Sequence, residues 1–170
     1  MKKATKKAAR AALLVLMCII FLLTGCMKEE YKKDIDAEEL ATVLSEKTPT
    51  DSAWISEDQD FIKEYVEIPE YVKESHVYYA QNTNDLDEFG IFEVEEGKAN
   101  AVRSMLAQGY LQKRYDENHE WYDSYMPTQT PKLRDAEVRV YGNCVAYAVL
   151  SPEKRKLFFD ECEKLLKNEE

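Results

Sequence analysis

Apolar residues recur along this chain in two alternating spacings, and the alternation predicts its elements. Leu40, Val43 and Leu44 repeat at helical spacing behind Asp36-Ala37-Glu38-Glu39, an N-cap with an acid three residues on. A helix is expected there through about Lys47, ended by Thr48-Pro49-Thr50. Ser56-Glu57-Asp58-Gln59 reads as a second capping box ahead of Phe61, Ile62, Tyr65 and Val66, and Ile68-Pro69 stops that helix. His76–Gln81 and Phe89–Val94 are rich in aromatic and β-branched residues. With turn chemistry at Asn82–Asp87 between them, they predict an antiparallel hairpin.

Residues 98–125 lack proline and read as the longest helix, but their periodicity breaks. Val102, Met105 and Leu106 mark one face, whereas Leu111, Tyr115, Tyr122 and Tyr125 mark the opposite one, with Gly109 between the sets. A kink or burial on two sides would reconcile them. Met126-Pro127 closes the helix, and residues through Arg134 are expected to be irregular. Glu137–Tyr141 and Cys144–Leu150 flank Gly142-Asn143, a dipeptide suited to a two-residue hairpin turn. In that register Val140 opposes Val145 and Val138 opposes Tyr147. Val138, Val140, Val145, Tyr147 and Val149 then face the core. Arg139, Tyr141, Cys144, Ala146 and Ala148 fall on the other face. Ser151-Pro152 caps a last helix with Phe158, Cys162 and Leu165 on its stripe. The expected fold is a two-layer α+β domain: a four-stranded antiparallel sheet of two hairpins, with helices on one face.

The first 26 residues have a different logic. Lys2, Lys3, Lys6, Lys7 and Arg10 precede Ala11–Leu23, thirteen consecutive apolar residues. A membrane span needs roughly 20, so this is the pattern of a secretory signal peptide. Leu23-Thr24-Gly25-Cys26 follows it and resembles the lipobox of bacterial lipoproteins, which implies cleavage after the small residues and a diacylglycerol on the Cys26 thiol. The predicted organisation is a cleaved leader at 1–25, a lipidated N-terminus and tether at 26–36, and one extracytoplasmic domain at 37–170.

Charge narrows the partners. The whole chain carries −10, and residues 26–170 hold 18 bases against 33 acids, a net of −15. That balance argues against nucleic acid, which is gripped by basic groups. It also argues against adsorption to anionic lipid, leaving the acyl chains on Cys26 as the membrane contact. Cys18 departs with the leader and Cys26 takes lipid, so Cys144 and Cys162 remain. They are expected as two free thiols, because one sits on an outer sheet face and the other on an inner helix stripe. There is no CxxC, and His76 and His119 lie 43 residues apart, so neither a metal nor a cofactor is expected.

The lipobox, Gly90-Ile91-Phe92-Glu93-Val94, the run Lys113-Arg114 to Tyr125-Met126-Pro127, and Ala136-Glu137-Val138 point to one group. Tyr141-Gly142-Asn143-Cys144-Val145 and Ser151-Pro152 join them. In order and spacing, over about residues 55–165, the chain resembles a domain-of-unknown-function family of small lipoproteins found mainly in Gram-positive bacteria. An aromatic is usual in that family where this chain has Cys144. The resemblance implies an exported lipoprotein and supplies no catalytic residues.

No catalytic constellation emerges from the residues themselves. Asp58 with Asp60, Asp85 with Asp87 and Glu88, and Glu93 with Glu95 and Glu96 are expected as solvated surface in so acidic a chain. Asn82–Asp87 lacks the glycine and distal glutamate of a calcium loop. Trp121, Tyr122 and Tyr125 are expected to pack at the core boundary. A helix-free sheet face must be solvated or covered by a partner, so Arg139, Tyr141 and Cys144 are the candidate binding face. The expected function is a non-catalytic binding or accessory domain for a protein, peptide or envelope component. One alternative is a surface hydrolase using distant carboxylates or Cys144, with His76 or His119 as base. Another is a structural or assembly lipoprotein acting through its attachment.

Overall fold

The computed structural model describes residues 31–57 and 60–167. The leader, the Leu23–Cys26 motif and the lipidation site lie outside them. Elements run in the order α1 (Ala37–Lys47), β1 (Trp54–Glu57), α2 (Asp60–Lys63), β2 (Val72–Ala80) and β3 (Glu88–Val94). Next comes a long helix in three parts: α3 (Ala99–Ser104), a π-helical segment (Met105–Gln112) and α4 (Lys113–Tyr125). Then follow α5 (Thr130–Arg134), β4 (Glu137–Tyr141), β5 (Cys144–Val149) and α6 (Pro152–Leu166). Among the described residues, no helix is long and apolar enough to cross a membrane.

The fold is α+β with an antiparallel sheet, as expected, but the sheet has five strands in the order β1-β2-β3-β5-β4. The additional strand is β1, which pairs Trp54 with Ala80 and Glu57 with Val77 at the sheet edge. Its last two residues, Ser56 and Glu57, continue the strand where the sequence predicts the start of a capping box. The second helix is correspondingly short at α2, and α5 forms where an irregular connection was expected.

The layering also differs. Alternation along β3 sends Phe89 and Ile91 to one face and Phe92 and Val94 to the other, and both sets are buried. α1 and α6 cover the first face through Leu40, Leu44, Phe158 and Phe159. The long helix, α2 and α5 cover the second through Val102, Leu106, Tyr110, Ile62 and Leu133. Helices therefore lie on both faces of a central sheet, giving three layers. The sequence disguised this because the face under α1 and α6 is lined at β5 by Cys144, Ala146 and Ala148. These small side chains allow helices to approach closely; they do not mark solvent.

The second hairpin matches its expected register, with Val140 opposite Val145, Val138 opposite Tyr147, and Gly142 at φ 61° in the turn. The phase break in the long helix has a specific cause. A π turn closes i→i+5 bonds and so advances more slowly around the axis than an α turn. Passing through Met105–Gln112 therefore returns Leu111 and Tyr115 to the side already occupied by Val102 and Leu106, and all four pack in one cluster.

Residues 31–36 are not a free tether. Lys32 N–H donates to Leu166 O at 2.8 Å, Tyr31 pairs with Lys167 in a β-bridge, and the Tyr31 ring meets Tyr141 edge-on at 5.4 Å. Ile35 packs on the core beneath α1.

Gly90 lies at the centre of the sheet opposite Tyr147, and a Cβ there would stand 2.3 Å from Tyr147 Cε1. Gly90→Ala should cost about 1–3 kcal/mol in urea unfolding by overpacking. Combined with Tyr147→Leu, it should cost less than the sum of the two single changes, since the second removes the ring that the first strikes.

Candidate functional site

Arg139, Tyr141 and Cys144 share one sheet face, as the hairpin register requires, but that face is closed. Tyr141 is 3% exposed and Cys144 0% exposed beneath α1 and α6. Tyr141 Oη–H donates to Phe159 O at 3.4 Å. Arg139 is exposed, and its guanidinium lies 4.1 Å from the Phe159 ring centroid while bonding Glu137. These three residues do not form an accessible binding face. Cys144 and Cys162 are free thiols, although not for the reason expected: both sit in the same buried cluster. Burial, helped by nearby Glu93, pushes the Cys144 thiol up to about 12, and burial pushes Cys162 well above its ordinary value. A nucleophile must be a reachable thiolate, and Cys144 is neither reachable nor ionised near neutrality.

The turn acids are not solvated either. Glu88 is 1% exposed and accepts from Tyr110 Oη at 2.6 Å, Tyr147 Oη at 2.7 Å and Arg114 Nη1 at 2.6 Å. Arg114 Nη1 also donates to Tyr110 Oη at 2.9 Å. Burial works against the Arg114 charge, yet the Glu88 carboxylate more than offsets it and holds that pKa well above its usual value. Burial and the same carboxylate hold both tyrosines protonated well above theirs.

One strand end away, Lys132 Nζ donates to Asp85 and Asp87, both at 2.6 Å, and Lys154 Nζ donates to Asp87 at 2.7 Å. Burial opposes the Lys132 charge, and these bonds keep its pKa raised. The turn is a hairpin loop, as expected, and lysines fill the place a cation would take. Of the other acids, Glu93 pairs with Lys73 at 2.7 Å, Glu95 and Glu96 are exposed, and the side chains of Asp58 and Asp60 lie outside the described residues.

The surface formed by the described residues includes two hollows. One of about 360 Å³ lies between the π segment and β4, lined by Arg103, Gln112, Tyr115, Arg134 and Glu137. Its one carboxylate, Glu137, is already bound by Arg139 and Arg155, so it lacks the pair a glycosidase requires. Another of about 210 Å³ gathers Asp34, Asp36 and Glu39, all exposed, with Asp36 capping α1 through Glu39 N–H at 2.8 Å.

The outer surface of α4 is different in kind. Trp121 is 54% exposed and Tyr125 72% exposed, and their ring centroids are 5.2 Å apart. Tyr122 turns inward to the core, so the expected packing role holds for it alone. Among the described residues the only other exposed large apolar side chain is Leu157. Asp116, Glu117, Glu120 and Asp123 are exposed on the same helix. Its two bases are engaged: Arg114 is buried on Glu88, and Lys113 Nζ donates to Tyr65 O at 3.1 Å. The last turn contains no basic residue, so the negative end of the helix dipole is left uncompensated there.

A family model described as a domain of unknown function (DUF4358) matches residues 52–150. The chain belongs to that family. No curated protein and no solved structure matches it. The DUF4358 span contains all five strands, the long helix, the Glu88 network and the aromatic ridge. It leaves out α1 and α6, the two helices that close the face carrying Tyr141 and Cys144.

Arg114→Met would strand Glu88 in the core and should lower unfolding free energy by about 3–5 kcal/mol in urea titration. Tyr110, Tyr147, Cys144 and Cys162 all have folded pKa values above their unfolded ones. Their contribution is complete below the unfolded values and is lost as pH rises toward the folded ones. Stability should therefore fall from about pH 9 upward, by about 1.4 kcal/mol per pH unit for each group still protonated in the fold. Urea midpoints between about pH 8 and pH 11 measure this, and a flat profile would contradict the burial of these groups.

Proposed function

We propose that this DUF4358 chain is a lipid-anchored extracytoplasmic binding domain that takes a basic segment of a partner protein on the Trp121–Tyr125 ridge. The anchor reading rests on the cationic start, the short apolar run and Leu23-Thr24-Gly25-Cys26. The binding reading rests on one observation: two large aromatic rings stand in solvent on an acid-rich helix end. Exposed rings favour binding, since their polar rims and apolar faces suit recognition surfaces. The surrounding charge selects the ligand. Asp116, Glu117, Glu120 and Asp123 repel anionic segments, whereas lysine or arginine gains from the carboxylates and from the ring faces. Catalysis is not part of this reading, because Cys144 is sealed and the larger hollow holds one carboxylate that is already paired.

The test places a photoreactive residue at position 121, or at position 157 as a control, in cells producing the full chain. Adducts are then mapped by mass spectrometry. Position 121 should give one dominant adduct on a net-basic protein segment, while position 157 should not. Labelling that is equal at both positions, or confined to acidic segments, would overturn the ridge assignment. In the same spectra the mature N-terminus should be Cys26 carrying diacylglycerol. An unmodified thiol there would remove the anchor while leaving the ridge to be judged by its own adduct.

A further inference from the structure

A second site lies on the opposite side of the sheet from the long helix, between β2 and α1. Along β2, residues two apart share a face, so Glu74 and His76 both stand on the side covered by α1. His76 Nε2 lies 3.1 Å from Glu74 Oε1. The first turn of α1 contributes Glu38, and one ligand atom from each of Glu38, Glu74 and His76 lies within 4.8 Å of the other two. No sequence spacing announces this cluster, because Glu38 comes from a helix folded back over the strand. The chain's two histidines are too far apart to suggest a metal site, whereas the fold joins one of them to two carboxylates.

The electrostatics are unbalanced. Glu93 stands opposite Glu74 in the sheet register, but Lys73 neutralises it at 2.7 Å. Among the described residues, neither Glu38 nor Glu74 pairs with a lysine or arginine, and Glu74 meets the His76 ring. Two carboxylates thus converge on one imidazole in a site where His76 is only 19% exposed at its side chain. Water screens these partly exposed carboxylates from each other, and a cation placed between them would gain from both.

We propose that Glu38, Glu74 and His76 bind a zinc-class divalent ion, with water completing its coordination. The donor set selects the class: calcium and magnesium take oxygen ligands, whereas imidazole with carboxylate suits zinc and its neighbours in the first transition row. Three protein ligands leave at least one position open, as at zinc sites that exchange water or ligand. Such an ion joins α1, which lies outside the matched span, to β2 within it. This proposal is independent of both the lipid anchor and the aromatic ridge.

Calorimetric titration of the purified full chain with ZnCl₂ should show one ion per chain, and saturating zinc should raise its Tm. His76→Ala and Glu38→Gln should each weaken zinc binding by at least about tenfold and abolish the Tm shift. Circular dichroism confirms that each variant folds, and Glu38→Gln alters only an exposed carboxylate. Cobalt(II) in place of zinc should give ligand-field absorption that disappears in His76→Ala. Zinc binding unchanged by both variants, or matched by magnesium at equal concentration, would show diffuse attraction to acidic surface and overturn the site.

Discussion

Glu88 is a charged group taken out of water at the point where the central strand, its neighbour β5 and the long helix converge. Isolated, it would be too costly to bury; here Arg114 and the hydroxyls of Tyr110 and Tyr147 satisfy both of its oxygens. That requirement constrains its surroundings. Tyr147 reaches Glu88 by lying flat over the sheet, which is possible because Gly90 opposite has no side chain. Tyr110 and Arg114 reach it from the end of the π segment and the start of α4. The helix therefore has to hold its wide turn where it does. Apolar packing alone tolerates small slips of helix over sheet, whereas a buried ion network admits one register.

Much of this fold was legible from the sequence, and what was not has physical causes. The Gly142-Asn143 turn sets a hairpin register, so the faces of β4 and β5 could be assigned correctly from the chain alone. What lies against those faces is a tertiary fact. The Cys144-Ala146-Ala148 stripe looked solvent-facing because small residues are ambiguous, yet it is buried in one cluster with α1 and α6. β1 is illegible in the chain because it is a four-residue edge strand whose end mimics a helix cap. The break of phase near Gly109 was visible, but choosing a π segment required the core it packs against. The candidate surface was half legible. Trp121 and Tyr125 stood out by composition, while their exposure could not be read. Asp85, Asp87 and Glu88 looked like solvent acids because Arg114, Lys132 and Lys154 return to them from far along the chain.

The acidity of the domain consequently has two roles. Inward, carboxylates are neutralised one by one and lock the sheet's loop end to the helices. Outward, on α4 and near α1, they lie at the surface, and apart from the Lys113–Glu117 pair it is these acids on which the proposed basic segment and the proposed metal ion rest. Both readings follow from which bases are already engaged, and a count of net charge alone would not separate them.

The docking of Tyr31 also fixes a geometry. On the proposed anchor, Cys26 and Tyr31 are five residues apart, and a fully extended chain of that length spans at most about 18 Å. The globule would then ride on a leash shorter than its own width, grazing the headgroups and unable to sample the wider envelope space. Whatever it grips would have to come down to the bilayer to be met.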